Sequence, residues 1–189
     1  MSGTPVEPDR VGRKGQGRGN GTARAGEPDL LAAEHDIKAR LVDHPLDFAS
    51  LLAVSNIYRA AGAVRRTAER ELLTPAGLSW GGFTILWVLW IWGAMETARL
   101  AAECDLAKGT LTGMLTTLEK QDLVARDRMV ADRRRVLVSL TPAGEAVIGD
   151  LFPRFNAFEG RATTGLSTEE KAELARLLRL VIVNATPVD

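Results

Sequence analysis

Between Leu123 and Gly144 the chain reads LVARDRMVADRRRVLVSLTPAG, and this stretch limits the fold more than any other. Val124, Arg126 and Arg128 alternate with Leu123, Ala125 and Asp127, and on the far side Val136, Val138 and Leu140 alternate with Leu137 and Ser139. Period-2 alternation on both sides of a polar turn is the signature of a β-hairpin. Thr141 followed by Pro142 then starts a helix, a capping hydroxyl with proline at the first helical position. The hairpin carries five arginines, Arg126, Arg128, Arg133, Arg134 and Arg135, against Asp127 and Asp132, a net charge of +3. A charge run usually sits on a solvated helix face or in a tail. Here the turn fixes its position, so the tip is either a solvated end or a cationic surface aimed at a partner.

The preceding segment, TARLAAECDLAKGTLTGMLTTLEKQDLV, supplies the context. Leu100, Ala101 and Cys104 mark the inner face of a short helix, and Asp105 stands where a tight turn needs a left-handed residue. A second helix starts near Ala107, with Leu111, Met114, Leu115 and Leu118 as its apolar stripe at i, i+3, i+4 and i+7. Its other face carries Lys108, Thr110, Thr112, Gly113, Thr116 and Thr117. A face built only for solubility is richer in Glu and Lys. Short hydroxyls beside a glycine allow close approach to another surface, and such a face can enter a DNA major groove. Helix, turn, helix and cationic hairpin make a winged helix-turn-helix, with the arginines beside the second helix. An arginine at the tip can enter the minor groove, and Asp132 is spaced to orient Arg134. The expected fold class is mainly α with a small β-hairpin.

The flanks extend this core. Residues 1–28 are rich in Gly, Arg and Pro and have no hydrophobic face, which reads as a disordered basic tail. Residues 29–45 read as an extension helix capped by Asp29 and interrupted by Pro45. Leu46 to Leu73 reads as one long helix ended by Thr74-Pro75 and Gly77, with a mixed face suited to packing on both its own domain and another chain. Ser79 opens a helix to about Trp92, stopped by Gly93, that holds all four tryptophans within thirteen residues. Those tryptophans read as buried core or as the aromatic wall of a small-molecule pocket. The helix begun at Pro142 runs toward Glu159 through Pro153, which should kink it. Ser167-Thr168-Glu169-Glu170 is a capping box opening a last helix with Leu174, Leu177, Leu178, Leu180, Val181 and Val183. The winged helix thus spans about 79–141, inside a domain of 46–186 with dimerisation helices at about 46–73 and 141–186.

Lys+Arg and Asp+Glu are 24 each, so the net charge of zero gives no hint of a polyanion partner and any electrostatic function is local. One cysteine allows no intrachain disulfide, which suits a reducing compartment. There is no signal-peptide pattern, and no apolar run approaches the ~18 residues of a membrane span. The expectation is a cytoplasmic protein with no membrane partner and no cofactor. No Ser/His/Asp or Cys/His arrangement suggests an enzyme. His35 and His44, with Glu34, Asp36 and Asp43, could bind a metal, but nothing in the spacing fixes a site, so no metal ligand is assigned.

The stretch from Leu106 to Gly144 resembles the winged-helix core of the MarR (multiple antibiotic resistance regulator) family of bacterial transcription factors. The resemblance rests on Asp132, Arg134, Val138, Leu140, Thr141 and Gly144, and on KGTLTG at Lys108 to Gly113. It implies a homodimer with interlocked terminal helices, bound to palindromic double-stranded DNA and acting as a repressor in a bacterial cytoplasm. By resemblance Lys108, Thr110, Thr112 and Thr116 face the major groove and Arg134 the minor groove, with Gly113, Arg126, Arg128, Asp132, Arg133 and Arg135 completing the DNA-binding set. The implied inducer is a small aromatic effector, for which Trp80, Trp87 and Arg66 are the candidate contacts. Ala107 stands where the family often has a serine cap and Asp122 where it has glycine. Thr84 replaces the aspartate of urate-sensing members, and Cys104 with the single Tyr58 does not match the peroxide-sensing pattern. Two other readings remain open, a winged helix used for protein–protein contact and a metal-responsive regulator using His35 and His44.

Overall fold

The computed structural model describes residues 30–128 and 135–186. The chain divides into two compact units between Leu52 and Ala53. In the first, helix α1 spans Ala32–Arg40. Leu31 has no side-chain acceptor to cap it, and the Glu34 carboxylate takes the Leu31 N–H at 2.8 Å instead. Helix α2, Phe48–Ala68, begins in this unit with Asp47 accepting from the Ser50 N–H at 3.0 Å. The extension helix expected over 29–45 is confined to Ala32–Arg40, with Leu31 at its N-cap in place of the expected Asp29. The expected single helix to Leu73 gives way at Glu69–Leu73 to a π-turn, in which the Thr74 N–H reaches back to the Glu69 carbonyl.

The second unit is built around helix α3, Trp80–Trp92, which is apolar on all sides and therefore central. Ser79 accepts from the Gly82 N–H at 3.1 Å to start it, and Gly93 ends it at φ 74°, a conformation that favours glycine. Phe83, Ile85, Leu86, Val88 and Leu89 of α3 are buried. Around them pack Leu100 of helix α4 (Thr97–Glu103), Leu111, Leu115 and Leu118 of helix α5 (Lys108–Lys120), and Ile148, Leu151 and Phe155 of helix α6 (Pro142–Ala162). Phe83 and Phe155 stack with centroids 4.5 Å apart. α6 runs on through Pro153 without ending.

Strands β2 (Val124–Arg128) and β3 (Val136–Leu140) form the expected antiparallel hairpin, with Val124 opposite Leu140 and Arg126 opposite Val138. A third strand, β1 (Met95–Glu96), pairs with β3 on its other edge, giving the order β1-β3-β2. Two residues carry no period, so the sequence offers no sign of it. Asp105 and Asp122 both adopt positive φ, 51° and 58°, ending α4 and α5 where glycine is usual. The segment after the wing has a physical reason for its composition. The Thr141 hydroxyl accepts from the Gly144 N–H at 3.0 Å and donates to the Asp122 carbonyl. A Cβ at Gly144 would overlap the Leu123 carbonyl oxygen. Glycine there lets the first turn of α6 press on the chain that leads into β2.

Helix α7, Thr168–Ala185, opens with the capping box, Ser167 accepting from the Glu170 N–H and Glu170 accepting from the Ser167 N–H. No residue of α7 is buried. Leu174, Leu177, Leu180, Val181 and Ile182 lie exposed along it. A groove of about 490 Å³ runs between α2 and α6, lined by Ala60, Ala63, Val64 and Phe158 with Glu71 and Arg161 among its polar residues. No described helix is long and apolar enough to cross a membrane.

Candidate nucleic-acid interface

α4, the turn at Asp105 and α5 form the helix-turn-helix. Leu111, Leu115 and Leu118, each at most 2% exposed, anchor α5. This turns Lys108, Gly109, Thr110, Thr112, Gly113 and Thr117 to the outside, with Thr116 half-buried. Ala107 at the N-cap offers no side-chain acceptor, so the first-turn N–H groups of α5 have no side-chain cap. An uncapped helix start of this kind is suited to a phosphate.

The outward hydroxyls are oriented by their own helix. Thr112 donates to the Lys108 carbonyl at 2.9 Å, Thr116 to the Thr112 carbonyl at 3.0 Å and Thr117 to the Gly113 carbonyl at 3.2 Å. The Thr110 side chain makes no hydrogen bond among the described residues. A Cβ added to Gly109 or Gly113 would meet nothing within 4 Å. Glycine within a helix costs about 1 kcal/mol relative to alanine, and packing within the chain gives neither residue a reason to be glycine.

Two of the wing arginines, Arg126 and Arg135, have described side-chain partners. Arg126 of β2 is half-buried and donates to the Glu119 carboxylate of α5, and lies 3.4 Å from the Thr116 hydroxyl. This hydrogen bond holds the Glu119 carboxyl below the usual glutamate range and raises the Arg126 guanidinium. Arg135 donates to both oxygens of Glu96 on β1, one of them at 2.9 Å. Two of the five arginines read from the sequence as cations for the DNA, Arg126 and Arg135, are thus each tied to a carboxylate of the same chain. Nothing in their spacing announced Glu119 or Glu96, because the first partner depends on how α5 docks on β2 and the second on the two-residue strand β1. Arg128 closes β2 opposite Val136. Asp132, Arg133 and Arg134 lie outside the described residues.

The candidate effector contacts do not converge. Trp80 packs on Phe83 and Phe155, with centroids at 6.4 and 6.0 Å. Trp87 meets Trp92 edge-on at 5.4 Å. Its indole N–H is buried without a partner. Arg66 is exposed and lies over Gly62. A cavity of about 340 Å³ opens elsewhere, between α4, α5 and the wing, lined by Thr97, Lys108, Leu111, Thr112, Arg126 and Val136 among others. Cys104 is half-buried, and burial pushes its thiol up to about 11, so it holds almost no thiolate at neutral pH. His35 and His44 are exposed, and among the described residues no three His, Cys, Asp or Glu side chains come together as a metal site.

A helix-turn-helix braced by a three-stranded wing, with a small polar face on its second helix, defines a winged-helix DNA-binding regulator. Comparison with known proteins gives the family. The MarR family model matches residues 78–136. The uncharacterised HTH-type transcriptional regulator YwaE of Bacillus subtilis is 36% identical over 158 residues, which cover 82% of this chain and 92% of YwaE. Among solved structures, mutant MarR from E. coli complexed with operator DNA is 25% identical, with a TM-score of 0.64 over 72% of this chain and 98% of that one. Bordetella bronchiseptica BpsR, whose DNA binding is regulated by 6-hydroxynicotinic acid, is 25% identical, with a TM-score of 0.64 over 69% of this chain and 98% of its own. The chain belongs to the MarR family of transcriptional regulators.

Proposed function

We propose that the protein is a homodimeric repressor that binds palindromic operators through α5 and the wing and is released by a small aromatic acid. The observation that carries the dimer is α7, an amphipathic helix whose apolar face has no buried residue. The groove between α2 and α6, floored by Ala60, Ala63 and Val64, has the shape and chemistry to take the same helix of a second copy. A two-fold dimer presents two α5 helices in opposite senses and so selects an inverted repeat. Thr110, Thr112, Gly113 and Thr116 enter the major groove, Lys108 and the uncapped start of α5 hold phosphates, and Arg134 reaches the minor groove.

The effector reading draws support from BpsR and from the cavity beside α5. That cavity has apolar walls at Leu111, Leu115 and Val136 and two cations, Lys108 and Arg126. An aromatic ring with a carboxylate matches both features, and its binding there would draw Lys108 away from its place at the DNA surface. We therefore favour this cavity over Trp80, Trp87 and Arg66. Genomic fragments retained by the purified full chain, mapped by footprinting, test the operator reading. Inverted repeats one or more helical turns apart are expected, and retention without sequence preference would refute it. Release of those fragments by aromatic acids, lost in Lys108→Ala, tests the effector.

A further inference from the structure

The exposed face of α5 contains no arginine, asparagine or glutamine, the side chains that read guanine and adenine by paired hydrogen bonds. Gln121, just beyond its end, is tied to the Gly77 carbonyl at 3.2 Å. Thr112, Thr116 and Thr117 have each turned their hydroxyl proton back to a carbonyl one turn earlier. With Oγ1 held against the helix, the branch left to face outward is the methyl group. Arg126 and Arg135 are occupied by Glu119 and Glu96. The face therefore presents methyl groups and acceptor oxygens, with Lys108, Thr110 and Lys120 as its remaining side-chain donors.

Spacing organises these groups into two adjacent rows one turn apart, Lys108–Thr112–Thr116 and Gly109–Gly113–Thr117. The glycine row has open space where its Cβ atoms would stand. It forms a shallow trough flanked by threonine methyls. In the major groove the feature that fits a methyl-lined trough is the C5-methyl group of thymine, which projects from the base edge and asks for apolar contact instead of a hydrogen bond.

We propose that α5 selects its half-site chiefly through thymine methyl groups, with Thr112 and Thr117 as the specificity-determining side chains and Gly113 as the gap that admits the methyl. This rests on the reading of α5 as the major-groove element.

The experiment replaces thymines of an isolated operator one at a time by deoxyuridine, which removes only the methyl, and measures the affinity of the full chain. Each contacted thymine should lose about fourfold, the worth of one buried methyl group. Changing such a T·A pair to C·G should lose more, and 5-methylcytosine at that position should recover part of the loss, because it restores the methyl without the thymine hydrogen-bonding edge. Thr112→Ser, which keeps the hydroxyl and loses the methyl, should erase the thymine-over-uracil preference at one position, and Thr112→Val should keep it. Gly113→Ala should raise the melting temperature yet weaken operator binding, an outcome a merely structural glycine would not give. Operators bound equally well with uracil at every thymine would overturn the proposal while leaving the major-groove reading intact. Failure to retain any duplex would overturn both.

Discussion

α5 and α7 are both amphipathic helices, and the protein treats them in opposite ways. α5 buries Leu111, Leu115 and Leu118 against its own chain and turns its polar side outward. α7 repeats leucine at Leu174, Leu177 and Leu180, and each of these remains 45–50% exposed. A periodic apolar stripe says that a face will be covered but not by what. The covered stripe fixes α5 to the core so that its other face can be presented rigidly. In the proposed dimer the uncovered stripe is the face that a single protomer leaves unfinished, since no exposed patch of that kind is expected on a chain that works alone.

The comparison breaks most visibly at α7. Leu177→Glu with Leu180→Glu should convert the proposed dimer to monomers at micromolar concentration, read by light scattering. Four leucines removed from a two-fold interface, two per copy, forfeit roughly 6 kcal/mol or more of burial. Operator affinity should fall with the dimer, because a single half-site loses the second anchor. Retention of dimer mass in this variant would place the interface elsewhere.

Leu115→Ala is the counterpart within α5. Leu115 is 1% exposed, so its truncation should cost about 2–5 kcal/mol of stability. Chemical denaturation at several protein concentrations sharpens the contrast. The Leu115→Ala loss should be about the same at every concentration, whereas Leu177→Ala should lower a midpoint that itself depends on concentration. Equal concentration dependence of the two losses would remove the distinction between the helices.

The sequence made much of this legible because its signals were local. Ser79, Thr141 and Ser167 cap the helices they were expected to cap, Asp105 takes the left-handed turn, and the alternation around Val138 gives the hairpin register. What it hid depends on contacts between elements. β1 is two residues long and exists because β3 offers it an edge. The π-turn at Glu69–Leu73 closes a helix whose composition shows no break. The threonine face of α5 was visible as residue types, but the direction of each hydroxyl was not, since a threonine in a helix has two rotamers to choose from. The arginines of the wing were counted as one cationic group, and the fold separates Arg126 and Arg135 from a free cation by placing Glu119 and Glu96 against them.

The smallest effect tests that separation. Glu119 joins the two faces of α5 to the wing, since it leaves the helix to hold Arg126 on β2. The pair is partly exposed, 27% for Arg126 and 31% for Glu119, so solvent screening limits its worth to about 1 kcal/mol. Glu119→Gln should lose about that much at neutral pH. The sign of the pH dependence follows from the depressed carboxyl of Glu119. The stabilisation is complete above the ordinary glutamate value of 4.5 and is lost as pH falls through the lower value of the folded state, so the difference between wild type and variant should close on acidification below 4.5. On DNA the pair makes a sharper statement. A guanidinium already neutralised by a carboxylate releases few counterions from the phosphates, so Arg126→Gln should leave the salt dependence of operator binding almost unchanged. Glu119→Gln frees a cation beside α5, and the slope of log affinity against log salt should steepen by up to about 0.9. If Arg126→Gln instead flattens the slope by that amount, Arg126 leaves Glu119 for a phosphate when DNA binds, and the clamp belongs to the free protein only.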